Sequence, residues 1–198
     1  PAPVQRYLRY AGVINRPVVN NFRVVFTGEM REKGKDYFPF RSVQYNFIDN
    51  PARLFFMKGH MFGMDLPGYH HYSQGKARMD IKLFGLVPLV SKSGHVMNKT
   101  ETVTFFNEMC LLAPASLTDR RIQWHAIDNE KSKAVFTNDT ISISAVLYIN
   151  ERGQLTNFTS EDRTSMNDMT QYLFSTPVNE YKSINGINLM YSGEAVWH

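Results

Sequence analysis

The chain holds a single cysteine, Cys110, among 198 residues. An intrachain disulfide is therefore excluded, and whatever stabilises the fold must come from burial rather than from cross-links. No stretch approaches the ~18 consecutive apolar residues that a membrane-spanning helix requires. Strong charge of one sign is missing as well: 22 Lys plus Arg face 18 Asp plus Glu, a formal excess of +4. The basic residues are scattered rather than gathered into a stripe, which argues against a nucleic-acid partner. There is no Gly-x-Ser-x-Gly elbow, no GxxxxGK(S/T) loop and no GxGxxG, so the hydrolase and phosphate-loop readings fall away. Repeats, low-complexity tracts and linkers are also lacking, so residues 1–198 read as one domain, within the usual size of a single all-β unit. The chain opens on Pro1 without an initiator Met or signal peptide, and the expectation is that an export or anchor segment preceded it.

What the chain has in quantity is alternation. Ile141, Ile143, Ala145, Leu147 and Ile149 recur with a period of two, as a half-buried strand requires. Phe22, Val24, Phe26, Gly28 and Met30 alternate with more polar neighbours, and Val43, Tyr45 and Phe47 alternate with Gln44 and Asn46 before Asp49-Asn50-Pro51 ends the run. Residues 53–63 are apolar at nearly every position, which suits a strand at the centre of a sheet. Pro67-Gly68 reads as a turn, and Met79, Ile81 and Leu83 alternate again. In the apolar run 84–90, Gly85 and Pro88 signal a bend, bulge or edge. Further strands are expected at 122–127, 133–137, 140–149, 155–160, 171–182 and 187–197, with a hairpin turn at 150–153.

Two helices interrupt the strands. A short one begins near Pro3 and ends at Gly12. In the long one, Asn98 stands three residues before Glu101 as a cap would, and Val103, Phe106, Cys110 and Ala113 form a stripe widened by Phe105, Met109 and Leu112 before Pro114 stops it. The fold class expected is mainly β (α+β): a curved antiparallel sheet, or half-barrel, wrapped around one central helix at about 98–113, because the sheet offers the only large apolar face to cover that stripe.

Candidate chemistry is sparse. His60, His70 and His71 with Asp65 are the candidates for a metal site, but they lack the tight spacing of closed zinc sites, and adjacent His70 and His71 point to opposite faces wherever the backbone is extended. No metal, cofactor or catalytic residue is assigned. Cys110, on the inward stripe, reads as a small buried hydrophobe rather than a nucleophile. Glu101 and Glu108 lie two helical turns apart, a pair suited to acid and base work beside Arg31 or Arg163, or equally to capping and ion pairing. The remaining signal is 14 Phe, 10 Tyr and 10 Met, much of it on strands; such a soft surface either fills a core or lines a cavity that repacks around apolar ligands.

Landmarks run along nearly the whole chain: Gly28-Glu29-Met30-Arg31, Tyr72-Ser73-Gln74-Gly75, Lys82-Leu83-Phe84-Gly85-Leu86-Val87-Pro88, Gly94, Glu108, Pro114, Leu117, Trp124, Asp162-Arg163, Asn185-Gly186-Ile187 and Trp197. Their order resembles a bacterial family known as a domain of unknown function, which implies no activity to carry over. His70-His71 and Ala77 depart from that pattern. In architecture alone, the expected open barrel is similar to the periplasmic lipoprotein carriers, and that likeness implies extracytoplasmic binding of acyl chains. The leading expectation is thus a non-enzymatic cell-envelope protein that binds a lipid or other apolar small molecule between sheet and helix, lined by Phe26, Tyr45, Phe56, Met61, Phe106 and Met109. The alternatives are a protein interaction module and an enzyme built on Glu101, Glu108 and an arginine.

Overall fold

Alternation becomes antiparallel pairing throughout. The computed structural model describes residues 1–61, 63–83, 86–165 and 168–198, without the side chains of Leu83, Val87 and Pro88. The chain forms two compact units, one of Pro1–Val19 with Lys99–His198 and the other of Asn20–Asn98.

The unit Asn20–Asn98 is a meander of β1 (Asn21–Met30), β2 (Phe38–Phe47), β3 (Ala52–Met61), β4 (Met64–Ser73), β5 (Lys76–Leu83) and β6 (Val87–Ser93), paired in sequence order. The apolar β3 lies in the interior of the sheet, as its composition predicts. A two-residue turn joins β4 to β5. Gln74 and Gly75, at φ 50 and 65, have the two left-handed residues of a type I′ hairpin, whose twist matches that of the flanking strands. The expected turn at Pro67-Gly68 is not there. Met61 of β3 pairs with Met64 of β4, so Pro67 and Gly68 lie within β4. Pro67 is tolerated because pairing with β5 starts only at Gly68, which leaves its missing N–H without a ladder position to fill. Pro88 falls on β6, the edge strand, beside a register shift between Ile81 and Lys82. The expected bend at Gly85 and the end of the apolar run at Phe62 lie outside the described residues.

The second unit contains α1 (Ala2–Ala11), which Gly12 closes at φ 74, and the residues of α2 (His95–Leu112) from Lys99 onward. A 3-10 turn at Pro114–Thr118 follows. Its sheet is built from β7 (Ile122–Ala126), β8 (Lys131–Asn138), β9 (Ile141–Ile149), β10 (Leu155–Ser160), β11 (Phe174–Ser175) and β14 (Val196–Trp197), and β12 (Val178–Ile184) with β13 (Ile187–Gly193) forms a separate hairpin. The 171–182 stretch is therefore two strands, broken at Thr176-Pro177. Among the described residues neither six-stranded sheet closes into a barrel.

Helix α2 starts three residues before the expected cap. Gly94, at φ 113, makes the reversal out of β6, and the Asn98 N–H donates to the Gly94 carbonyl inside the first turn. The Asn98 side chain instead accepts the Ala77 N–H at 2.7 Å. Residues 100–107 are all buried, so α2 is sheltered on every side rather than along one stripe. Phe106 stacks on Phe136 of β8 with ring centroids 5.0 Å apart and meets Phe158 of β10 at 6.0 Å. The inward row of β9, Ile141 to Ile149, is buried as its period predicts. Among the described residues no helix is long and apolar enough to cross a membrane.

Candidate functional site

Register fixes which side chains share each face of the β1–β6 sheet. On one face, called inner here, Phe26 pairs across to Ser42 and Met57, Gly28 to Phe40, and Met30 to Phe38 and on toward Met61. Phe26, Phe38, Phe40, Met57 and Met61 are all only partly buried, whereas Ile143, Leu147, Phe136 and Phe158 of the other unit's sheet are essentially fully buried. Two of the expected lining residues, Phe26 and Met61, belong to this inner face. Tyr45 and Phe56 belong to the opposite one, because Tyr45 pairs with Arg23 and Leu54, and Phe56 with Val43 and Tyr69; they are 38% and 49% exposed, and Phe56 stacks on Tyr69 at 4.7 Å.

Strand β2 has the phase opposite to the one its apolar residues suggest. Ser42, Gln44 and Asn46 are its buried side chains, at 1% exposure each, while Tyr45 and Phe47 face outward. The cause is pairing: Gln44 stands between Val24 and Phe55, and Asn46 between Phe22 and Arg53, so the even positions fall on the inner face. The Gln44 Oε1 accepts from Arg53 Nη2 at 2.9 Å, and the Arg53 guanidinium lies 4.5 Å from the Phe55 ring centroid. Ser42 Oγ and both amide atoms of Asn46 are buried without a hydrogen-bond partner among the described residues. Buried polar atoms are nearly always paired, so three orphans along one strand are unusual. The signal was present in the sequence as Ser-x-Gln-x-Asn, a polar set with the period of a strand, but period alone does not say which set faces in.

Phe106 and Met109, the two lining residues expected from the helix, are fully buried in the other unit, with Phe106 inside the aromatic stack already described. Cys110 is equally buried, which pushes its thiol well above the ordinary range, and its carbonyl accepts the Tyr7 hydroxyl at 2.7 Å. Glu101 sits in mid-helix at 3% exposure rather than at a cap, and Glu108 is half-buried. The Arg163 guanidinium stacks on Phe174 at 3.9 Å and on Trp197 at 4.5 Å, while Arg31 stacks on Tyr37 at 4.4 Å within its own unit. A polar cluster that sequence reasoning passed over ties helix to sheet: Asp162 accepts from Lys99 Nζ at 2.6 Å and from the Ser144 N–H at 2.7 Å. Burial raises the Asp162 carboxyl, but these donors outweigh it and hold the group below the usual carboxylate range.

The histidines do not converge. His70 and His71, on extended β4, pair with Phe55 and Leu54 and so face opposite sides of the sheet, and His60 pairs with Asp65 near the far end. His60 Nδ1 and Asp65 Oδ1 lie 3.0 Å apart, and Lys58 also reaches Asp65. Among the described residues no group of three or more His, Cys, Asp or Glu is arranged to hold a metal ion. At the turn end of the sheet, Asn20, Asn21, Asp49, Asn50 and Ser73 border an open hollow of about 370 Å³.

No curated protein and no solved structure matches the chain. From residue 1 to residue 198 it matches the family of unknown function DUF6544, and it belongs to that family.

Proposed function

We propose that this is a non-enzymatic cell-envelope protein that binds a lipid or other acyl-chain ligand, and that the apolar surface engaging the ligand is the inner face of the β1–β6 sheet. One observation carries the reading. The Phe and Met side chains of that face are left partly exposed, although the same chain buries the corresponding face of its other sheet completely. Apolar area left in water forgoes ~25 cal/mol per Å² of stabilisation, and a continuous patch of it on a stable domain marks a binding surface. Methionine and phenylalanine suit chains of variable shape, since the thioether is flexible and polarizable. The envelope setting rests on the likeness of an open sheet to the periplasmic lipoprotein carriers.

Nile red titration of the full chain, purified without detergent, tests this reading. Saturable uptake with a blue-shifted emission is expected, weakened about tenfold or more by Phe40→Ser or Met57→Ser, each of which removes apolar contact area. Absence of uptake, or uptake indifferent to both substitutions, overturns the assignment.

A second reading, a protein interaction module, is favoured by the outer face, where Val25, Tyr45, Phe47 and Phe56 are all exposed. Loss of a partner on Phe56→Ser, with Nile red uptake unchanged, would select it.

A further inference from the structure

Along the inner row of β2 the chemistry changes abruptly. Phe38 and Phe40 are partly exposed and apolar; Ser42, Gln44 and Asn46, next on the same face, are buried and polar. At ~3.3 Å per residue this polar segment spans about 13 Å. Building on the acyl-chain reading, we infer that the ligand is an amphiphile with an uncharged head group bearing hydroxyl or amide functions, bound head inward on the Ser42–Gln44–Asn46 row with its chain along Phe40, Phe38 and Met61.

The chemistry of the orphaned atoms selects the class. The Asn46 amide presents a donor, Nδ2, beside an acceptor, Oδ1, and both are unpartnered in a side chain 1% exposed. An ester or ether satisfies only the donor, and a carboxylate or phosphate likewise offers no hydrogen for Oδ1. A hydroxyl or a primary amide satisfies both, and the Ser42 hydroxyl, also without a partner, adapts to either role. The Arg53 guanidinium lies on the same face and donates to Gln44 Oε1, so it is Asn46 Oδ1, which needs a hydrogen, and not an absence of charge, that selects against an ionised head.

Competition against bound Nile red on the full chain provides the test, with monoolein and methyl oleate as competitors because they share one chain and differ in head-group hydroxyls. Monoolein is expected to displace the dye at about tenfold lower concentration or less, since leaving buried polar groups unpaired is what penalises methyl oleate. Asn46→Leu should abolish that preference, and Ser42→Ala should reduce it. Asn46→Ala serves the same purpose if the leucine variant does not fold, and circular dichroism establishes which variants fold. Equal potency of the two competitors on the natural chain, or a preference that survives both Asn46 substitutions, overturns the head-group assignment alone. Failure of the dye and both competitors to bind removes the acyl-chain reading and this inference together.

Discussion

Replacing Asn46 by leucine should make the ligand-free protein more stable, the reverse of what most core substitutions do. Asn46 is 1% exposed, and its Nδ2 and Oδ1 have no hydrogen-bond partner among the described residues. Each buried unsatisfied group costs about 1–3 kcal/mol, and a leucine of similar shape removes both atoms while adding apolar burial against Phe22 across the strand pair. A net gain of about 1–3 kcal/mol is expected, because relaxation recovers part of the original cost. For a chain of this size each kcal/mol moves the melting temperature by roughly 2–4 °C. Both tryptophans, Trp124 and Trp197, belong to the other unit, so intrinsic fluorescence reports on the wrong sheet. Urea unfolding followed by far-UV circular dichroism, with amide exchange read at β2 and β3, follows the right one. Gln44→Leu is the internal control. It takes the acceptor away from the buried Arg53 guanidinium and should destabilise by about 1–3 kcal/mol, although it too exchanges a polar for an apolar side chain. If Asn46→Leu lowers stability by 1 kcal/mol or more, roughly the worth of a satisfied hydrogen bond, the amide is paired in the native state and the argument from orphaned atoms fails.

Three other outcomes follow from the second unit. Phe106→Ala should cost about 3–5 kcal/mol in urea unfolding, because it empties a site packed against Phe136 and Phe158; a loss under 1 kcal/mol would deny that the stack organises this core. Asp162 is held below the ordinary carboxylate range, so its contribution is full above the unfolded value of ~3.9 and disappears as pH falls through the lower folded value. The natural chain should therefore exceed Asp162→Asn in urea midpoint near neutral pH, with the gap closing below about pH 4; a gap independent of pH contradicts the pairing with Lys99. Gly153→Ala should destabilise more than Gly34→Ala. Both glycines have left-handed φ, +88 and +79, but a Cβ at 153 would lie 2.8 Å from the Arg6 carbonyl oxygen, while one at 34 meets nothing within 4 Å. The shared φ penalty is about 1–2 kcal/mol, so equal thermal shifts would mean that α1 does not rest on Gly153.

The sequence by itself determined the kind of fold: strands wherever residues alternated, a short helix stopped by Gly12, a long buried helix stopped ahead of Pro114, and a bend, bulge or edge at Pro88, of which the sheet order made an edge strand. These follow from local chemistry, from a side chain's periodicity, a missing N–H or a permitted φ, and they need no knowledge of what lies nearby. It also identified Cys110 as core, since an isolated thiol on an apolar stripe has nowhere wet to go. Tertiary structure alone decided which face of β2 turns inward. A period of two is symmetric between the two faces, and only cross-strand pairing to Val24 and Phe55 sent Gln44 and its polar neighbours in and Tyr45 out. The same holds for Pro67-Gly68, where pairing carried the strand straight through a dipeptide that locally reads as a turn, and for Asn98, whose side chain went to the Ala77 N–H instead of capping its helix. The candidate site was thus legible as residues but not as a place, because a place exists only once strands far apart in sequence are set side by side.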